Sequence, residues 1–111
     1  MTFQVRLLTR AQEDADQIYL WLRERSRMGA VSWYSALLQK IDDLAITAMA
    51  CSVAPEAAPL DIELRQAFFK TRRGRTYRLL FIIVANEVRI LRVRGPGQRP
   101  ITRSDVPHDE P

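Results

Sequence analysis

Arginine is the residue type that this sequence concentrates. Residues 65–103 hold ten arginines and Lys70 against the single acid Glu87, a net charge of +10. Residues 1–64 carry six basic and nine acidic side chains, net −3, and residues 104–111 add Asp105, Asp109 and Glu110, for +4 over the whole chain. A guanidinium donates two parallel hydrogen bonds from a planar fork and stays charged at neutral pH, which suits it to phosphates and carboxylates. So sharp a charge split speaks to partners rather than to fold. It points to nucleic acid or to an acidic protein segment, with a merely solvated basic face as the plain alternative. The candidates for target or nucleic-acid binding are Lys70, Arg72, Arg73, Arg75 and Arg92.

Other chemistry has little support. There is no Ser/His/Asp set, no metal-ligand cluster and no Gly-rich phosphate loop, since Gly95-Pro96-Gly97 reads as a turn. Neither a metal nor a cofactor is expected. His108 is the one histidine, in an acidic, Pro-flanked tail, and reads as a frayed surface residue. Cys51 cannot form an internal disulfide, which fits a reducing compartment, and its plain reading is a small apolar residue. The N-terminus lacks the basic-then-apolar pattern of a signal peptide. The longest apolar stretch, Leu79 to Ala85, falls far short of the roughly 20 residues of a membrane helix. The expectation is a cytoplasmic protein with no membrane partner.

These arginines need elements to position them. Phe3, Val5 and Leu7 alternate with Gln4 and Arg6, the period of a short strand. Thr9 with Gln12 predicts a capping box opening a first helix, along which Ala11, Ala15, Ile18, Tyr19 and Leu22 recur. Gly29 is expected to end it. Ala30, Tyr34, Leu37, Ile41, Leu44 and Ala48 form the apolar stripe of a second helix, so the pair should make an antiparallel hairpin. Trp21 and Trp33 read as packing residues, with a base-stacking platform as the competing role.

Residues 50–61, with Pro55 and Pro59, read as a loop. Three strands follow: Leu64 to Lys70, Tyr77 to Ala85, and Val88 to Arg94, joined by a turn around Gly74 and another at Asn86. Alternation in the last strand puts Val88, Ile90, Arg92 and Arg94 on one face; in the central strand it places Tyr77 opposite Arg78, in the core. The predicted class is α+β in the order β-α-α-β-β-β. A helical hairpin packs on one face of a small, mostly antiparallel sheet, and the other face carries the arginines. Length fits one domain over residues 1–100, followed by an acidic, mobile tail at 101–111.

Leu64 to Phe81, with its central "Tyr-Arg-Leu-Leu-Phe", and Val88 to Arg94, with "Ile-Leu-Arg-Val-Arg", resemble the RelE/ParE superfamily of type II toxin–antitoxin toxins. The opening Val5 to Ala11 is similar to that family's start, and the resemblance runs from Phe3 to about Pro100. It implies a plasmid-stabilisation-type toxin that arrests growth and is neutralised by a cognate antitoxin, acidic and folding on binding.

RelE-like members cleave mRNA on the ribosome without a metal, whereas ParE-like members inhibit DNA gyrase and carry no nuclease chemistry. Cleavage requires an activated 2′-hydroxyl, a stabilised phosphorane and a protonated leaving group. Arg78 matches the family's central-strand arginine, and Arg94 or Arg99 the arginine after the last strand; these three would be catalytic only in an mRNA interferase. Lys70 and Arg72 lie near the basic residues of the second strand. The tail tyrosine common in RelE-like nucleases is missing, which favours a ParE-like or otherwise non-catalytic binding toxin. The alternatives are a metal-free mRNA interferase and a basic nucleic-acid-binding domain without toxicity, although the latter lacks exposed aromatic residues among its strand arginines.

Overall fold

A computed structural model describes residues 2–107; His108 and the rest of the tail lie outside the described residues. Strand β1 (Gln4–Leu7) leads into helix α1 (Thr9–Arg25) and helix α2 (Arg27–Thr47). A short helix α3 (Ala57–Leu60) precedes strands β2 (Arg65–Phe69), β3 (Tyr77–Val84) and β4 (Glu87–Arg94). The sheet order is β1-β4-β3-β2, parallel between β1 and β4 and antiparallel elsewhere. The mixed α+β order expected from the sequence is the one observed. No helix among the described residues is long and apolar enough to cross a membrane.

The helical hairpin forms differently in detail. Helix α1 starts after Leu8 with no side-chain cap, so the expected Thr9–Gln12 box is not made; the Gln12 side chain bonds Asp16 instead. The break between helices is Ser26, held extended at φ −162°, with its hydroxyl accepting from the Gly29 N–H. Gly29 therefore lies inside α2. A side-chain acceptor for a first-turn N–H starts a helix more firmly than a glycine stops one.

On the hairpin side, Ala11, Ala15, Trp33, Leu37 and Leu44 pack on Ala67, Phe69, Leu79, Phe81, Val88, Ile90 and Val93. Tyr77 joins this side, its ring centroid 5.4 Å from that of Trp33. The two tryptophans part company: Trp33 is buried and Trp21 is 53% exposed.

The opposite face of the sheet is not left open. Leu8, Ala54, Ala57, Leu60, Leu64, Leu80, Leu91 and Ile101 form a second, smaller core, so residues 54–64 and the first part of the tail cover that face. The expected tail is thus part of the domain over Ile101 to Val106. Ile101 is buried, and a 3-10 turn (Arg103–Asp105) is closed by a capping box between Thr102 and Asp105. Full burial of one such aliphatic side chain contributes about 1.5–3 kcal/mol, and the bond from the Ile101 N–H to Glu56 adds to it.

Strand β4 also departs from simple alternation. Leu80 pairs with Arg92 but Phe81 pairs with Ile90, so Leu91 is an extra residue in a bulge. Val88, Ile90 and Val93 then join the hairpin-side core while Leu91 joins the second one. The expected grouping of Val88 and Ile90 with Arg92 and Arg94 is broken by that one residue. In the turn from β3 to β4, Ala85 rather than Asn86 takes the left-handed conformation, at φ 56°.

Candidate functional site

The concentrated arginines divide into two sets. The first lies on the sheet face away from the hairpin, where Phe68, Arg78 and Arg94 stand opposite one another across β2, β3 and β4. Phe68 is 51% exposed, an aromatic beside strand arginines that the alternation argument did not anticipate.

Each guanidinium in this set is held by the fold. Arg78 grips Glu56 through both terminal nitrogens and donates a further bond to Gln66 Oε1 at 3.1 Å. Glu56, 5% exposed at the start of α3, also accepts from the Ile101 N–H. These bonds, led by Arg78, hold its carboxyl below the ordinary range despite burial. Arg92 is 7% exposed and doubly bonded to Asp14 of α1, at 2.7 and 2.8 Å. Asp14 accepts in addition from the Val93 N–H at 2.9 Å. Strand β1 stops at Leu7, so beyond Ile90 this edge of β4 lacks a strand partner, and a carboxylate on α1 takes the N–H that a strand would have taken.

Asp105 is the third acid. It accepts from Arg92 at 3.2 Å, from both terminal nitrogens of Arg99 at 2.7 and 3.1 Å, and from the Thr102 N–H and hydroxyl. The Arg99 bonds foremost drive its carboxyl far below the usual range. Arg94 is 7% exposed, has no carboxylate partner among the described residues, and donates to the Arg99 carbonyl at 3.1 Å. Its Nε is buried without an acceptor, and desolvation, followed by the Arg92 charge, pulls its pKa below the ordinary arginine value. Four guanidinium groups, Arg78, Arg92, Arg94 and Arg99, thus meet three carboxylates and keep one net positive charge.

The second set is the β2–β3 hairpin tip. Lys70, Arg72, Arg73 and Arg75 are all exposed, and none makes an ion pair among the described residues. Gly74 sits against the Thr71 side chain, and a Cβ there would require the Thr71 hydroxyl to turn away. The tip and the loop at Gly95 to Gln98 face the α1–α2 junction across a groove of about 920 Å³. Trp21, Leu22, Trp33 and Tyr77 supply its apolar lining, and Arg25, Arg73 and Arg75 its cations. The Arg25 guanidinium lies 3.6 Å from the Trp21 ring centroid and donates to the Trp21 carbonyl.

The expected site residues are therefore not one surface. Arg78, Arg92, Arg94 and Arg99 are gathered around internal acids, while Lys70, Arg72, Arg73 and Arg75 stand apart at the tip. Sequence reasoning missed Asp14, Glu56 and Asp105, which come from three remote segments and carry no local signal. Trp21 and Arg25 had a signal: their i, i+4 spacing at the end of a helix that also bears Arg23.

The chain was compared with known proteins. The family model for the ParE toxin of the type II toxin–antitoxin system parDE matches residues 5–100. A solved structure from a chromosomal ParDE toxin–antitoxin system of P. aeruginosa is similar in fold, with a TM-score of 0.63 at 18% identity. That match covers 85% of this chain and 96% of the other. No curated protein matches the sequence.

Proposed function

The chain belongs to the ParE toxin family of type II toxin–antitoxin systems, and from that premise we propose that it is a non-catalytic toxin, one that arrests growth by binding its target. Its partner is a cognate ParD-type antitoxin, acidic and folding as it binds, and its compartment is the cytoplasm. DNA gyrase is the target this reading favours.

The observation that carries the non-catalytic reading is the state of the sheet-face arginines. Arg78 and Arg99 would have to embrace a scissile phosphate, yet Glu56 and Asp105 already occupy their forks. A phosphodiester would have to displace carboxylates that each accept several charged bonds. Tyr77 is not placed to act as a general base: its ring packs against Trp33 and Phe69 on the other side of the sheet, and burial raises its pKa. One observation favours the mRNA interferase as the second reading. Exposed Phe68 lies in line with Arg78 and Arg94, a place where a base could stack beside a phosphate.

Induced expression should arrest growth, and a small adjacent reading frame should relieve the arrest. Primer extension on cellular mRNA after induction separates the readings. Intact mRNA with accumulating gyrase–DNA breaks supports the proposal; cuts at translated codons that vanish in Arg78→Ala overturn it.

A further inference from the structure

Seven residues join Phe69 to Tyr77, and their composition is one-sided: Lys70, Thr71, Arg72, Arg73, Gly74, Arg75 and Thr76. They include no acid and no apolar side chain. The Gly74 N–H donates to the Thr71 carbonyl at 3.2 Å, closing a turn with Arg72 and Arg73 at its two corners. Lys70 and Arg75 flank them. All four cations are exposed, and none makes an ion pair among the described residues. Strands β2 and β3, paired up to Phe69 and Tyr77, carry the turn as the end of a two-stranded ribbon.

What this turn lacks narrows what it can hold. A protein interface draws most of its affinity from buried aromatic or aliphatic anchors, and these seven residues offer none. Single-stranded nucleic acid needs aromatic faces for its bases. The turn has none, and Trp21 across the groove is already covered by Arg25. A duplex backbone needs neither, because its phosphates are held by Arg, Lys, Thr and backbone N–H groups, the types present here. On the sheet face a phosphate would have to displace Glu56 or Asp105 from the arginines; at the tip no carboxylate stands in the way. The major groove of A-form RNA is too deep and narrow to enter, whereas that of B-form DNA is about 12 Å wide and admits a two-stranded ribbon.

We propose that the β2–β3 tip binds duplex DNA without sequence preference, entering the major groove with Lys70, Arg72, Arg73 and Arg75 on the flanking phosphates. Residues 1–64, with their net charge of −3, are repelled by the same polyanion and turn the tip toward it. The inference goes beyond the toxin reading and does not depend on it: growth arrest tests that reading, and DNA binding tests this one.

The test is fluorescence anisotropy of a labelled, mixed-sequence DNA duplex of about 20 base pairs, titrated with the full chain between about 50 and about 200 mM salt. Four neutralised phosphates give a slope of log affinity against log salt of about −3.5, so binding should weaken about 100-fold over that range. Arg73→Gln with Arg75→Gln should bring the slope to about −2 and the weakening to about tenfold. Arg10→Gln with Lys40→Gln removes the same charge about 20 Å along the helices from the α1–α2 junction that the tip faces. That distance exceeds the Debye length of about 10 Å, so the slope should stay as in the unaltered chain. A duplex of unrelated sequence should bind within about twofold, since phosphate contacts carry no sequence information. Four outcomes overturn the proposal: no binding at the lowest salt, a slope reduced equally in both double variants, tighter binding to a single strand or to duplex RNA of the same length, or displacement of the DNA by polyglutamate at equal charge.

Discussion

The sheet-face arginines and the hairpin-tip arginines share a side chain and little else. Arg92 and Arg94 are 7% exposed, and with Arg78 and Arg99 they are bound into a network anchored by Glu56, Asp14 and Asp105. That network fastens α1, the segment before β2 and the segment after β4 to one end of the sheet. The tip cations are exposed, and two of them, Arg73 and Arg75, line an apolar groove. The same functional group serves cohesion in one place and stands exposed without an ion pair among the described residues in the other, and the presence of carboxylates distinguishes them. A run of arginines is thus no measure of a binding surface until its acids have been located.

Removing Asp14 should break the contrast most severely. Asp14→Ala leaves Arg92 with only its Asp105 contact and orphans the Val93 N–H, and breaking a buried ion pair costs up to about 3–5 kcal/mol. A urea melt reads this against a total stability of about 5–15 kcal/mol for a domain. Glu56→Gln should follow at about 2–3 kcal/mol, less because Arg78 can still reach water and Gln66. It should also loosen Ile101 and the segment behind it, visible as faster amide exchange there.

Acid should act on the network in the same direction. Glu56 and Asp105 are both held below their ordinary values, so their stabilisation is complete above the unfolded carboxylate range near pH 4 and is lost as pH falls through the folded pKa values. Thermal midpoints should therefore be flat from about pH 7 down to pH 5 and fall in stronger acid. A profile unchanged in acid would mean that the sheet-face carboxylates do not stabilise the fold. Arg73→Glu with Arg75→Glu, by contrast, should move stability by no more than about 0.5 kcal/mol, the usual range for surface changes. If it costs as much as Glu56→Gln, the tip is part of the fold and the distinction fails.

The element order was legible because it rests on local period. The alternation of Phe3, Val5 and Leu7, the stripe from Ala30 to Ala48 and the apolar run of β3 each reflect a face that must be buried, and those elements form as expected. Details that depend on one residue were not. Ser26 displaced Gly29 as the break because its hydroxyl happens to meet an N–H, and Leu91 bulges out of β4 and reassigns its faces. Residues 101–106 looked like a tail because they lead into the acids and prolines of residues 107–111; what they pack against lies in other segments.

By itself the sequence determined that this chain would fold as α+β with its positive charge gathered late, since composition and period are properties of the chain alone. Which arginines remain available was decided by tertiary structure. An ion pair depends on distance in space, and Asp14, Glu56 and Asp105 reach Arg92, Arg78 and again Arg92 across 78, 22 and 13 residues of chain. Nothing local in a sequence records a contact of that range.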